Sequence, residues 1–370
     1  MNLFPVKVIS SSYKASELYE VHSVLHKLLL VLFISGTIAA TADARQISDK
    51  GSLSGLLYSD FYWIVNNHNE DLEGENGFWA RRVYLTYDNN FSQHVSARFR
   101  LEMNSPGDFS TNQKLEPYVK DLYLDWAINQ NHSLIAGLSS TPTWALVESV
   151  WGYRSVEKSP SDLHKLGSSR DFGLALKGEF GDRGNLKYHA MIGNGSGTGS
   201  ETNKWKKYML SLGWWLSDNL VVEVYGEYNR TSETTTRSAV HGFLGYVSDN
   251  LNAGAMYVAQ NITVDLVGIS NNTETIDVAS IFANLKLADK WTALLRADRM
   301  FTANPRGPTI DYIPFSDQAE STFLLFGVDF EPVRNVHVIP NIETIFYGEA
   351  PDGTTPNSDL IFRTTLSYRF

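Results

Sequence analysis

The chain has 370 residues, no cysteine and a formal net charge of −10 at neutral pH. The absence of cysteine excludes disulfide bonds and thiolate metal sites, and the acidic balance argues against a nucleic-acid partner, which favours a basic surface. Charged residues make up 19% and aromatic residues 12% of the chain, and the mean hydropathy is −0.22. No stretch beyond residue 45 has the length and apolar character of a spanning helix. This combination is typical of a membrane β-barrel, whose strands are apolar on one face only.

The amino-terminal region has the pattern of a secretory signal peptide. Lys27 precedes the apolar run LLLVLFISGTIAA, and the small residues Ala42 and Ala44 occupy the third and first positions before a cut after Ala44. We therefore expect residues 1–44 to be a cleaved signal peptide and the protein to be exported. The basic segment before such a run is ordinarily short, so residues 1–20 are interpreted as an extension upstream of the true translation start.

Segments of alternating apolar and polar residues then recur along the whole chain. This period of two is that of a β-strand with one apolar face, because successive side chains of a strand point to opposite sides. The pattern predicts sixteen strands, at residues 52–64, 77–89, 93–103, 117–128, 132–140, 169–180, 185–193, 206–217, 219–229, 238–248, 250–260, 274–287, 290–301, 321–331, 334–347 and 359–370. In the strand at 321–331, Phe323 and Leu325 interrupt the polar face.

The connections between these strands alternate in length. The short ones are rich in Asn, Asp, Gly, Ser and Pro, the residues of tight turns. The long ones are polar and fall at residues 65–76, 104–116, 141–168, 194–205, 230–237, 261–273, 302–320 and 348–358. Long loops on one side and short turns on the other indicate an all-β fold, a transmembrane antiparallel barrel with extracellular loops and periplasmic turns. A soluble β-sandwich is the alternative. Residues 45–370 are expected to form this single domain.

Aromatic residues cluster near the predicted strand ends. Tyr62, Trp79, Trp126 and Trp214 are examples. Since amphipathic rings favour the boundary between lipid and water, we expect them to form interface girdles.

Three stretches carry a resemblance to a known family. They read GFWARRVYLTYDNNFSQHVSARFRLEMNSP from residue 77, LGSSRDFGLALKG from residue 166, and LSYRF at the carboxyl terminus. They resemble porins of the phosphate-selective porin O and P family. The resemblance implies a sixteen-stranded outer-membrane barrel, a homotrimer, and a third long loop that folds inward to constrict the channel. It also implies that Phe370 serves as the carboxyl-terminal assembly signal.

Charged residues on the polar faces of the strands are the candidates for lining a pore. They are Arg82, Arg98, Arg100, Glu102, Asp121, Asp125, Lys177, Glu223, Glu227, Arg296, Asp298, Glu343 and Arg363. The two signs are nearly balanced, and a single-sign field is what a strongly anion-selective channel needs. Phosphate specificity is therefore not expected, while an arc formed by Arg82, Arg98 and Arg100 favours a weak anion preference. The alternative is that these charges pair across strands and select nothing.

Loop 141–168 is in the third position among the long loops, so it is the candidate constriction loop. Trp144 and Trp151 are predicted to anchor it to the barrel wall, and Arg154, Lys158 and Lys165 to face solutes. A flexible loop at the surface is the alternative.

The sequence thus predicts a porin of the Gram-negative outer membrane that passes small hydrophilic solutes or inorganic ions by diffusion. Lipid and lipopolysaccharide are the expected surroundings; no cofactor, metal, catalytic residue or nucleic-acid partner is expected. The nine histidines form no metal-binding motif, and the glycine-rich segment at residues 193–199 lacks the Lys-Ser/Thr of a phosphate-binding loop. The alternatives are a closed barrel that acts as an adhesin or ligand-binding surface protein, and an outer-membrane enzyme.

Overall fold

A computed structural model describes residues 45–48, 50–105, 107, 109, 113–265 and 272–370. The predicted signal peptide, residues 1–44, lies outside this range, and so does its proposed cleavage site. Among the described residues, no helix has the length and apolar character required to span a membrane.

The described chain is almost entirely β-structure. Its strands are β1 Arg45–Ser48, β2 Gly51–Asn66, β3 Asn76–Asn90, β4 Val95–Asn104, β5 Glu116–Ala127, β6 His132–Ser140, β7 Arg170–Phe180, β8 Leu186–Gly193, β9 Lys207–Trp215, β10 Leu220–Arg230, β11 Thr235–Val247, β12 Leu251–Val264, β13 Asn272–Ala288, β14 Trp291–Met300, β15 Ser321–Val333, β16 Val336–Tyr347 and β17 Asp359–Arg369. From β2 to β17, each strand pairs antiparallel with the next. The predicted barrel of sixteen strands is confirmed, and each predicted strand overlaps an observed one.

The last strand, β17, closes the barrel by pairing with β2. β17 pairs antiparallel with β2, and beyond its end Gly55 and Phe370 exchange backbone hydrogen bonds of 2.8 and 3.1 Å. Where β17 stops, the short β1 continues the pairing along the start of β2. The pairing of residues 359–370 with residues 52–64 therefore closes the ring, and in the described part of the chain no strand of the ring is left with a free edge.

The alternation of residue types matches the two faces of the wall. In β10, the side chains of Val224 and Tyr228 are exposed on the outside, whereas Glu223 and Glu227 are buried inside. In β17, Phe362 and Leu366 point outward and Arg363 inward. Apolar outer faces repeated around the ring are what a barrel in lipid requires.

Two β-bulges interrupt this alternation in β3 and β5. Tyr58 lies opposite Arg82, but Ser59 lies opposite Ala80, so Arg81 is an extra residue of β3. As a result Arg81 and Arg82 both point into the barrel, although they are adjacent in sequence. The same shift reverses the face of the residues before the bulge. Trp79 consequently points inward, where its ring nitrogen donates to Asp60 at 3.3 Å, so its assignment to an interface girdle was wrong.

Two of the predicted long loops are shorter in the structure. Residues 261–273 reduce to 265–271 between β12 and β13. Residues 230–237 were expected to be a long loop, but β10 and β11 extend toward each other, and only residues 231–234 connect them. The strand extension pairs Arg230 with Thr236. Backbone pairing between β10 and β11 thus continues through residues that the polar composition of this segment assigned to a loop.

The barrel interior is filled on one side by two loops. Residues 141–168, the candidate constriction loop, contain helices α1 Ala145–Trp151 and α2 Pro160–Leu163. The connection of residues 301–320 contains a 3₁₀ turn at Gly307–Thr309. Their apolar side chains are buried against inward apolar residues of β11–β16. Those wall residues are Phe243, Met256, Val258, Ile276, Val278, Phe282, Leu294, Met300, Phe323, Leu325, Ile339 and Ile345.

These contacts give the barrel a hydrophobic core in its interior. They also explain the irregular pattern of β15, because Phe323 and Leu325 face packed loops rather than water. Residues 302–320 were expected to extend outside the barrel; the placement of Ile310, Ile313 and Phe315 in the interior core corrects that expectation.

Candidate functional site: the charged interior wall

The charged residues predicted to line a pore all lie on the interior face of the barrel wall. They separate into three groups according to the strands that carry them. The residues of β3–β7 include side chains that are partly exposed to the interior, Glu223 and Glu227 of β10 are buried, and the residues of β14–β17 lie beneath the two loops. The first group is therefore the candidate site.

A carboxylate shared by two cations forms the first element of this site. Glu102 Oε1 lies 2.9 Å from Arg82 Nε, and Glu102 Oε2 lies 2.8 Å from Lys120 Nζ. The three residues come from β4, β3 and β5. A second β-bulge makes the arrangement possible, because Arg100 lies opposite Asp121 but Leu101 lies opposite Val119. Lys120 and Asp121 therefore both point inward.

The second element repeats the arrangement around Asp121. Arg100 Nη1 lies 3.1 Å from Asp121 Oδ2, and Arg170 of β7 contacts the other carboxylate oxygen. Asp121 is thus shared by two guanidinium groups. We call the sets Arg82–Glu102–Lys120 and Arg100–Asp121–Arg170 the two cationic triplets, since each carries two positive charges and one negative charge.

The exposure of these side chains shows which sign of charge water meets. The carboxylates Glu102 and Asp121 are each 2% exposed, whereas Arg82 is 11%, Arg100 18% and Arg170 16% exposed. The acids are covered by their own cations. The interior surface of this part of the wall is therefore positive, although the sequence has nearly equal numbers of both signs.

Tyrosine rings support the guanidinium groups. The ring centroid of Tyr84 lies 5.6 Å from the Arg82 guanidinium carbon and 5.0 Å from that of Arg100. The Tyr118 hydroxyl lies 3.4 Å from Lys120 Nζ. Cation–π contacts of this kind restrict the arginine side chains without neutralising them.

Toward the short-turn end the wall becomes balanced. Arg98 Nε lies 2.7 Å from Asp88 Oδ1, and both side chains are about one-third exposed, at 33% and 38%. Beyond them a polar cavity of about 480 Å³ is lined by residues that include Asp125, Lys177 and Glu179. Water-accessible space thus lies along the short-turn ends of β3–β7.

On β9–β11, two carboxylates are engaged in buried contacts. Glu223 accepts a hydrogen bond from Ser211 and lies 3.2 Å from His241 Nε2. Glu227 lies 2.7 Å from Lys207 Nζ and accepts a hydrogen bond of 2.6 Å from the Tyr225 hydroxyl. Both carboxylates are thus compensated by neighbours on the same wall.

The remaining predicted residues lie beneath the two loops. Arg296 binds Asp298 at 2.5 Å and donates to the backbone carbonyl of Lys158. Arg363 lies 2.7 Å from Glu343 and 3.4 Å from Glu157 of the constriction loop. These side chains are at most 1% exposed, so they hold the constriction loop instead of facing the open space.

The tryptophans of the constriction loop are buried against the wall. Trp144 and Trp151 are 4% and 1% exposed. The Trp151 ring meets Phe282 edge-on at 5.2 Å, and its backbone carbonyl accepts a hydrogen bond of 2.5 Å from Asn284. These contacts support the anchoring role that the sequence predicted for both residues.

The cations of the constriction loop all have partners. Arg154 contacts Glu148 and lies 2.5 Å from Asp162, both in the same loop. Burial raises the pKa of the Glu148 carboxyl, although Arg154 opposes the shift. Burial acts in the same direction on Asp162, but Arg154, Lys158 and Arg82 outweigh it and lower the pKa of that carboxyl to about 2. Arg82 interacts with Arg154 and Asp162, so the loop faces the first cationic triplet.

Lys158 and Lys165 contact the other interior loop. Lys158 Nζ lies 3.3 Å from Asp311 Oδ2, and Lys165 Nζ binds Thr309. Neither side chain stands free in the interior, contrary to the expectation that both face solutes directly.

Three charged residues of the interior wall were not predicted from the sequence: Arg81, Lys120 and Arg170. Lys120 was missed because strict alternation places it on the opposite face from Asp121, and Arg81 was missed for the same reason. Arg170 stands in the Ser-Arg-Asp segment that carried the family resemblance, which was the available signal. Within the described residues, no group of three or more His, Cys, Asp or Glu side chains is arranged to hold a metal ion.

The barrel is similar to solved outer-membrane proteins. The outer-membrane expressed OmpT of Vibrio cholerae is 15% identical, with a TM-score of 0.60 over 89% of this chain and 100% of that chain. The anion-selective porin from Comamonas acidovorans is 10% identical, with a TM-score of 0.61 over 86% and 99% of the two chains. The outer membrane channel DcaP of Acinetobacter baumannii is 12% identical, with a TM-score of 0.61 over 88% of this chain and 99% of that chain.

No family model matches the sequence, and no curated protein matches it either. At these low identities the structural similarity shows the fold, a closed antiparallel barrel of the kind found in outer-membrane porins.

Proposed function

We propose that the protein is an outer-membrane channel through which small hydrophilic solutes diffuse passively, with a weak preference for anions. The observation that carries the proposal is the pair of cationic triplets on β3–β7. Each presents two cations to the interior and covers its single carboxylate. An anion near this wall meets an excess positive charge without having to displace a carboxylate.

The route we infer runs along β3–β8. The apolar side chains of the two loops pack mainly against β11–β16, and the wall of β3–β7 keeps partly exposed polar side chains from Arg82 down to Lys177. The polar cavity beside Asp125 extends this route to the short-turn end. A narrow path beside a packed loop restricts solutes by size, while the triplets act on their charge.

The charge pattern favours a general anion preference over phosphate specificity. Every cation of the triplets already shares a carboxylate, so each offers only part of its charge to a solute. A doubly charged phosphate would need a stronger uncompensated field to offset its dehydration. The resemblance to the phosphate-selective porin O and P family therefore extends to the architecture that we propose, and not to its specificity.

We further propose that the protein is exported by a cleaved signal peptide to the Gram-negative outer membrane, where it forms a homotrimer among lipid and lipopolysaccharide. The apolar outer wall and the segment at residues 28–40 support this location. Chemical cross-linking of the protein in outer-membrane fractions tests the trimer, and a monomeric product alone would contradict it.

Conductance in a planar lipid bilayer tests the channel. The purified protein should produce ohmic current steps, and under a potassium chloride gradient the reversal potential should have the sign of chloride preference. A reversal potential on the cation side would contradict the anion preference while leaving the channel itself intact.

A closed barrel that acts through its external loops is the second candidate. The observation that favours it is the hydrophobic core formed inside the barrel by the two loops. A closed barrel would insert into the bilayer and give no current steps, so the same experiment separates the two functions. We propose no enzymatic activity for the protein.

A further inference from the structure

We infer that residues 301–320 form a second constriction element, held in place by Tyr312, and that this element sets the size limit of the channel together with the constriction loop. The inference rests on the proposed channel function and goes beyond it, because it assigns the sieve to a segment with no predicted role. We call this segment the latch loop.

Tyr312 contacts three separate parts of the barrel. Its hydroxyl donates to the backbone carbonyl of Arg81 at 2.8 Å, its carbonyl accepts from Arg363 Nη2 at 2.6 Å, and its amide donates to the carbonyl of Gly107 at 3.1 Å. Its ring meets Trp79 edge-on at 5.1 Å. Strands β3 and β17 and the loop after β4 are thereby joined through one residue.

The backbone of Tyr312 adopts an unfavourable conformation at this position. Its φ angle is 71°, in the left-handed region that residues other than glycine seldom occupy. Such a conformation persists where surrounding contacts over-determine it. Tyr312 is only 3% exposed, so the contacts that hold it lie in the barrel interior and not in solvent.

The latch loop also fastens the constriction loop. Asp311 forms an ion pair of 3.3 Å with Lys158, whose ammonium lies 5.7 Å from the centroid of the Tyr312 ring. Asn304 donates to the carbonyl of His164 at 3.0 Å, and Arg306 donates to the carbonyl of Lys165. The two loops therefore form one packed unit, and releasing one loosens the other.

Tyr312 positions the latch loop against the wall, and the position of that loop determines the width of the open path. Arg81 and Arg363 hold both loops, since Arg81 also donates to the carbonyl of Val156 at 2.7 Å and Arg363 pairs with Glu157. If Tyr312 is lost, the latch loop has fewer contacts to the wall, and the interior cross-section increases.

Single-channel conductance and exclusion of neutral polymers test the inference. With Tyr312→Ala, conductance should rise above that of the wild-type protein, because a wider interior carries more current. The largest polyethylene glycol that still enters and lowers the current should also increase in mass. Wild-type conductance and an unchanged polymer limit in a correctly inserted Tyr312→Ala protein would overturn the inference.

A milder variant keeps the test decisive if Tyr312→Ala does not assemble. Asp311→Asn removes the ion pair to Lys158, and the Asp311 side chain is 41% exposed, so folding should be preserved. Its conductance should increase and fluctuate more than that of Asp317→Asn, a matched charge change at an exposed position of the same loop. Equal behaviour of the two variants would overturn the inference.

The two hypotheses fail in different ways. Absence of current steps from the wild-type protein would refute the proposed channel. A conducting wild type whose polymer limit does not respond to changes in the latch loop would refute only the second constriction element.

Discussion

Removing one cation from each triplet is the sharpest test of the proposed selectivity. The double variant Arg82→Gln and Arg100→Gln lowers the charge of the interior wall by two units. Each buried carboxylate keeps one cation, because Glu102 retains Lys120 at 2.8 Å and Asp121 retains Arg170. A buried carboxylate that keeps a partner avoids the large cost of an isolated buried charge, so the barrel should still assemble.

The size of the effect follows from Coulomb's law. An ion passing about 8 Å from one of these guanidinium groups in water interacts with it by roughly 0.5 kcal/mol. Two lost charges amount to about 1 kcal/mol less attraction for chloride and about 1 kcal/mol less repulsion for potassium, so the permeability ratio of chloride to potassium changes by roughly thirtyfold. Screening over a Debye length of about 10 Å at 0.1 M salt reduces this change to about four- to fivefold.

The assay is the reversal potential in a planar bilayer at low and at high salt. A matched control removes two exposed lysines, Lys204→Gln with Lys290→Gln, which changes the net charge equally but away from the wall. The triplet variant should lose anion preference most clearly at low salt, while the control keeps the wild-type value. If both variants shift equally, the preference comes from overall charge and the assignment to the triplets is wrong.

Three further predictions concern pH, assembly and packing. Burial raises the pKa of Glu148, while the pKa of Asp162 lies near 2, so acidification from pH 7 should protonate Glu148 first and increase the anion preference. In Glu148→Gln, the reversal potential at pH 7 should equal that of the acidified wild-type protein and should not change with pH. Deleting Phe370, whose backbone completes the contact with Gly55, should reduce the amount of inserted protein in outer-membrane fractions but leave the conductance of each inserted channel unchanged; normal insertion would remove its role as assembly signal. Trp151→Ala should weaken the anchoring of the constriction loop by about 3–5 kcal/mol, as is typical for a buried tryptophan. The open-channel current should then fluctuate more than in the wild-type protein. An equally steady current would show that other contacts hold the loop.

The bulges show why the charged site could be predicted only in part. Alternation with period two placed Arg82, Arg100 and Glu102 on one face, and this was sufficient to propose a basic arc. It could not place Arg81 or Lys120 inside, because a single extra residue in a strand reverses the face of its neighbours. The excess of positive charge in the two triplets depends on Lys120 and Arg170, which a count of charges by alternation leaves out.

The loops show a second limit. The position and length of residues 141–168 indicated an inward loop, whereas residues 302–320 have a polar composition that resembles the other external loops. Their placement depends on apolar partners from strands that are remote in sequence. The irregular face of β15 at Phe323 and Leu325 was the one local sign that the interior there is packed and not wet.

The sequence by itself determined the number, order and polarity of the strands, because alternation between lipid and interior is imposed on every strand separately and is therefore visible locally. It also determined the closing strand at residues 359–370. Only the tertiary structure decided which charges face the open interior and which lie beneath loops. That distinction depends on register shifts and on contacts between residues far apart in the chain, and neither leaves a periodic trace in the sequence.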